Sequence, residues 1–302
     1  MSPATATSAA RPPSEVLRLD GPVGALACHV AGPADAAPLL LVHSVNAAAS
    51  AHEVRPLFEH FARTHRVYAP DLPGFGDSAR PAIRYTPAVM TAAILAVAEE
   101  IAARHGARPL DALATSLSCE FLARAAVERP LLWRSLALAS PTGFSGSRPA
   151  YGPPGSTRAL PRLHALLAGR PWSRPLFDLL TTRTSVRFFL RKTFGRRDID
   201  EQMFEEAWAC ARDPEAHHAP FCFLCGLLFS ADIGRVYEAL RQPVWMVHGT
   251  RGDFVDYRQK TLLALGPNWS WTVMATGALP WFEAPDAFCA DYARFLAAAG
   301  SA

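Results

Sequence analysis

The sequence predicts an α/β fold, a mostly parallel sheet flanked by helices, and three observations carry that prediction. Short apolar runs bounded by turn residues alternate with longer segments of helical period. The runs are continuously apolar rather than alternating, as expected of strands covered on both faces. Half of the 302 residues are hydrophobic and 19% are charged, too apolar for a disordered chain, yet no run approaches the roughly 20 residues a membrane span needs.

Taken in order, residues 1–14 are rich in Ala, Ser, Thr and Pro and are expected to form a flexible tail, with no apolar run of signal-peptide type. Strands are predicted at Leu39–His43, Val67–Asp71, Leu110–Thr115, Ser135–Ala139, Val244–His248 and Trp271–Ala275. Helices are predicted at 52–64, 86–105, 117–129, 257–265 and 286–299, with Pro87 near the start of the second and Pro130 just past the third. The alternation stops after Pro141. From 143 to 240 the chain reads as all-helical, with segments at 160–168, 173–194, 199–212 and 219–238, so the core is expected at 15–142 and 241–302 with a helical lid between. An insertion between two strands of one sheet has little to cover except the sheet's carboxyl edge.

Thirty basic and twenty-seven acidic residues give a net charge of +3 with no strongly basic segment, so no nucleic-acid partner is expected. Cys28, Cys119, Cys210, Cys222, Cys225 and Cys289 are scattered through a long chain and read as reduced thiols of a cytoplasmic protein without integral membrane association. Cys222 and Cys225, with His217 and His218 upstream, have metal-like spacing, but there is no second pair; packing is the expected role, and neither a metal nor a cofactor is expected. Arg183, Arg187, Arg191 and Lys192, followed by Arg196 and Arg197, make a basic helical face opposite Val186, Phe188, Phe189 and Leu190, read as a solvated face of the lid.

The chemistry-bearing segment is Leu110–Phe121, a strand, a tight turn and a helix with Ser116 at the apex between the small residues Ala114 and Ser118. Small neighbours let strand and helix backbones approach while the serine is held strained and exposed. Asp71-Leu-Pro-Gly-Phe-Gly-Asp-Ser78 forms a glycine-rich turn, and Leu41-Val-His-Ser-Val-Asn46 is a strand running into a loop. In these three segments the chain resembles the α/β-hydrolase family, from about Leu39 to Pro141 and again from Pro243 to Leu296. The resemblance implies an α/β-hydrolase fold, Ser116 as elbow nucleophile, and backbone N–H groups of Leu117 and Val45 as an oxyanion hole. It further implies an acid after the strand Val244–His248, assigned to Asp253 with Asp256 as fallback.

The family's histidine belongs in a phrase of the form Gly-His-x-Pro-x-x-Glu-x-Pro. This chain has Gly277-Ala278-Leu-Pro-Trp-Phe-Glu-Ala-Pro285, with alanine in the histidine's place. Alanine cannot take a proton from Ser116, and an unassisted serine hydroxyl is a weak nucleophile near neutral pH. His43, His248 and the lid's His217 and His218 are the candidate substitute bases. The leading expectation is hydrolysis of an ester or related carbonyl bond of a hydrophobic small molecule through a nonstandard base. The alternative is a catalytically degenerate or non-hydrolytic member, lyase- or isomerase-like, that binds a hydrophobic ligand beneath an aromatic-rich lid.

Overall fold

The computed structural model of the chain describes residues 14–169 and 171–300. Most of the expected tail, residues 1–13, lies outside the described residues. Eight strands form one sheet: β1 (Ser14–Gly21), β2 (Gly24–Ala31), β3 (Pro38–Val42), β4 (Arg66–Pro70), β5 (Leu110–Thr115), β6 (Trp133–Ala139), β7 (Val244–Gly249) and β8 (Trp269–Met274), in the spatial order β1-β2-β4-β3-β5-β6-β7-β8. β2 pairs antiparallel with β1 and β4, and every other pairing is parallel.

The core divides by the period-2 alternation of the strands. Leu40, Val42, Ala112, Ala114, Leu138 and Met246 face one layer, which holds α2 (Pro87–Arg104) and α3 (Ser118–Glu128). Leu39, Leu41, Leu113, Ala137, Trp245 and Val247 face the other, built from α1 (Arg55–Phe61) and α10 (Pro285–Ala299). The Thr86 hydroxyl accepts the Val89 N–H, and Pro87 occupies the first turn, where its missing N–H costs nothing. Met90, Ile94, Val97 and Ile101 then repeat on the buried face of α2.

Between β6 and β7 the described chain runs through α4 (Pro161–Leu167), α5 (Ser173–Leu180), α6 (Arg183–Phe194), α7 (Glu201–Cys210), α8 (His218–Leu224) and α9 (Ile233–Glu238). Val186, Leu190 and Phe194 of α6 and Met203, Phe204 and Ala207 of α7 join the second core layer.

Several expectations need correction. Strands β1 and β2 were not predicted: β1 offers only Leu17 and Leu19 to the core between exposed Arg18 and Asp20, and Ser14, assigned to the tail, opens it. The helix expected over 173–194 is two helices, because Thr182 caps the second by accepting the Ser185 N–H. The helix expected over 219–238 is likewise broken, by Gly226 at φ 73 and the turn that follows. At 257–265 only a short 3-10 turn, Arg258–Thr261, forms. β8 is an edge strand with Trp271 and Val273 exposed, not a strand covered on both faces.

Candidate functional site

β5 ends at Thr115 and α3 begins at Ser118, so two residues reverse the chain. Ser116 takes φ 55, a left-handed conformation that costs a non-glycine residue about 1–3 kcal/mol. Its N–H donates to the Ala139 carbonyl at 2.8 Å, and its carbonyl accepts from Cys119 (3.2 Å) and Thr142 (3.4 Å). The elbow is thus tied on one side to the end of β6. No described residue accepts a hydrogen bond from the N–H of Leu117 or of Val45.

The end of β6 makes a second sharp turn. Ser140 lies at φ 48; its N–H donates to the Val247 carbonyl at 2.7 Å and its hydroxyl to the Ala278 carbonyl at 2.8 Å. Ala278 therefore sits one hydrogen bond from the residue that follows Ser116's own backbone acceptor. The Ala278 N–H donates to the Thr193 carbonyl in the last turn of α6, at 2.9 Å. Beside it, a Cβ on Gly277 would stand 2.5 Å from the Phe194 carbonyl oxygen, so only glycine permits this approach. The buried Glu283 carboxylate accepts the Gly277 N–H at 2.6 Å and pairs with Arg251 and, at 3.6 Å, with Arg196. One carboxylate thus gathers the loop after β8, the loop after β7 and the end of α6.

Asp253 is half-exposed, and its carboxylate meets Lys192 Nζ at 2.8 Å, while its N–H donates to the Lys192 carbonyl at 3.4 Å. Asp256 accepts the Gly146 N–H at 3.0 Å and Arg258 Nε at 2.8 Å, contacts that hold its carboxyl below the usual range. Neither acid makes a hydrogen bond or ion pair with a described histidine.

The histidines named from the sequence make their hydrogen bonds and ring contacts with residues other than Ser116. Buried His43 donates from Nδ1 to the Ser44 carbonyl (2.6 Å) and accepts the Leu72 N–H at Nε2 (2.9 Å), leaving neither nitrogen for a serine proton. His248 uses Nδ1 on the Gly249 carbonyl at 2.9 Å and stacks on Tyr257 with ring centroids 3.9 Å apart. Its Nε2 is buried without a partner, and burial pushes its pKa down. His218 Nε2 lies 2.7 Å from Glu215, and His217 packs among Phe177 and Phe221, its pKa lowered by burial and then by His218. None of these four hydrogen bonds to Ser116.

Glu53 was not singled out in the sequence. Its buried carboxylate accepts the Ser44 N–H (2.8 Å) and the Asn46 amide (2.7 Å), and its carbonyl accepts Trp281 Nε1 at 2.7 Å. It fixes the loop carrying Val45, and no sequence pattern marks it. Near this loop a cavity of about 330 Å³ opens, walled by residues 46–53, by α5 to α7 and by residues 223–224 and 253–254; Ser116 does not line it. Its apolar wall includes Ala48, Val186, Leu190, Met203 and Ala207.

For metals, the one close group among the described residues is His29, Asp71 and Asp77, whose ligand atoms lie within 4.8 Å of one another. Asp71 is already spent on structure: it accepts the N–H groups of Ala51 and Asp77, both at 2.8 Å, and Gly76, at φ 50, leaves room for its carboxyl. Cys222 Sγ lies 3.3 Å from His164 Nε2, with its thiol pushed up to about 11 by burial.

A model of the alpha/beta hydrolase family matches residues 39–291. No curated protein matches the chain. Among solved structures, a serine hydrolase involved in carbazole degradation aligns at TM-score 0.72 and 18% identity, covering 94% of this chain and 99% of its own. A putative aryl esterase from Burkholderia cenocepacia aligns at TM-score 0.70 and 19% identity, covering 95% of this chain and 100% of its own. The 2-hydroxy-6-oxo-6-phenylhexa-2,4-dienoate hydrolase of a Rhodococcus strain aligns at 0.68 and 20%, covering 94% and 99%. At such identities the likeness concerns the fold; together with the family match from the third strand into the last helix, it means that the chain belongs to the alpha/beta hydrolase family.

Proposed function

We propose that the chain is a ligand-binding member of its family, in which the helices of the insertion act as a lid over an apolar small molecule and the Ser116–Asp253 pair has lost its general base. The observation that carries this reading is the place of Ala278. The loop that brings a base to the elbow is present and pinned from both sides, by Thr193 and Ser140, and it ends in a methyl group. Asp253, the residue that would orient an imidazole, is engaged with Lys192. A serine without a base keeps its proton near neutral pH. The preformed cavity also bypasses Ser116, as suits a molecule that is held rather than cut.

A second reading, residual ester hydrolysis at Ser116, is favoured by the strained elbow and by the unengaged N–H groups of Leu117 and Val45. An oxyanion hole and substrate binding alone sustain roughly 10³–10⁴-fold catalysis over water.

Titration with the uncharged fluorophore N-phenyl-1-naphthylamine, alongside p-nitrophenyl butyrate turnover and fluorophosphonate labelling, separates the two. Binding that is abolished by Ala207→Trp and unaffected by Ser116→Ala is expected, with labelling absent. Rapid turnover and labelling that both vanish in Ser116→Ala would overturn the binding reading and place a base at the serine.

A further inference from the structure

A group of large apolar side chains left exposed lies together around the mouth of the cavity. Leu180, Phe189, Leu224 and Phe254 all line it, and all are 43–59% exposed. Phe188, 51% exposed, stands edge-on to Phe189 with centroids 5.4 Å apart and carries the Lys192 ammonium 5.2 Å above its ring. These side chains come from α5, α6, α8 and the loop after β7, so the apolar rim is assembled by the fold and is not the face of one helix.

The insertion that supplies most of this rim also carries the chain's net charge. Between residues 143 and 240 there are thirteen basic and ten acidic residues, which accounts for the chain's entire net charge of +3. On α6 the pairs Arg183–Glu205 and Arg187–Glu201 neutralise one end, and Lys192 is matched by Asp253. Arg191 and Arg197, at the other end, make no ion pair with any described residue; Arg191 donates only to the Arg197 carbonyl, at 3.2 Å. Exposed aromatic and leucine side chains beside unpaired arginines match the chemistry of an anionic lipid surface, in which rings enter the headgroup boundary while guanidinium groups meet phosphates. No helix among the described residues is long and apolar enough to cross a membrane, so such contact would be peripheral.

We propose that the rim formed by Leu180, Phe188, Phe189, Leu224 and Phe254, with Arg191 and Arg197 behind it, docks on the surface of an anionic lipid bilayer with the cavity mouth facing the lipid. The docking stands independently of the ligand reading, because vesicle binding is measured without any ligand.

The test is co-sedimentation of the full chain with vesicles of phosphatidylcholine alone and of phosphatidylcholine with phosphatidylglycerol, at low and near-physiological salt. Binding to the anionic vesicles that weakens with salt is expected, and Phe188→Ser/Phe189→Ser should reduce it by about tenfold or more. Arg191→Glu/Arg197→Glu should lower affinity for anionic vesicles by a similar factor and flatten the salt dependence. All four positions are on the surface, so thermal melts are expected to stay near wild type. Absence of vesicle binding, or binding that neither double variant weakens, would overturn the proposal. A rim variant that changes only the sedimentation coefficient of the free protein would overturn it too, marking the rim as a contact between copies of this chain.

Discussion

Ser140 donates its hydroxyl to the carbonyl of Ala278, and its own preceding residue, Ala139, accepts the N–H of Ser116. Two hydrogen bonds therefore connect the elbow to the position where the family's base would stand. A side chain placed there starts from a fixed backbone beside Ser116. Ala278→His is expected to raise p-nitrophenyl butyrate hydrolysis by about 10²-fold or more, the scale of general-base assistance. The double variant Lys192→Met/Ala278→His should exceed it, since Asp253 is then released to orient the imidazole. Steady-state rates with Ser116→Ala/Ala278→His as control check this; equal rates with and without Ser116 would show that the serine is not placed for a relay.

Gly277 is the second constraint on that loop. The Phe194 backbone lies 2.5–2.6 Å from where a Cβ would stand, and a backbone cannot swing aside as a flexible side chain can. Gly277→Ala is expected to cost about 1–3 kcal/mol, the usual scale of overpacking, and to lower the melting temperature by several degrees. Hydrogen exchange should localise the loosening to residues 190–196. An unchanged melt would mean that the end of α6 is free to withdraw from the loop.

Much of this was legible in the sequence, and the exceptions have physical causes. The elbow, the turn at Asp71–Ser78 and the alanine at 278 are local patterns, readable because strand, turn and helix chemistry are written in consecutive residues. The pairing of Asp253 with Lys192 is not local: it arises where α6 docks on the loop after β7, sixty-one positions away in the chain. The same holds for Glu53, which acts on a loop seven to nine positions earlier through a carboxylate with no motif around it. β1 carries little sequence signal because this edge strand offers only two half-buried leucines, Leu17 and Leu19, to the core.

Glu53 itself makes a prediction. Glu53→Ala leaves the buried Ser44 N–H without its acceptor and the Asn46 amide with only the Ser44 hydroxyl, at 3.1 Å, a loss of about 1–3 kcal/mol that should appear in the thermal melt. Glu53→Gln keeps one acceptor oxygen and should recover part of it. Amide exchange at residues 44–49 is expected to rise in the alanine variant; exchange confined to other segments would show that the loop is held by something else.

Glu120 lies behind the elbow on α3, fully buried, accepting the Thr142 hydroxyl and the Ser230 N–H, the latter at 2.9 Å. Burial raises its pKa above the ordinary 4.5, although both hydrogen bonds oppose the shift. A carboxyl whose pKa is raised by folding favours the native state in its protonated form. Its contribution is therefore most favourable below 4.5 and declines as the pH climbs from there to the raised value, above which the full penalty applies. Glutamine keeps the shape and removes the titration, so Glu120→Gln should gain stability relative to wild type as the pH rises above 4.5. Melting temperatures of the two proteins across that range test the sign. If the difference between them is constant with pH, Glu120 is not desolvated as its surroundings indicate; if it falls with rising pH, the carboxylate rather than the acid is the form the fold prefers.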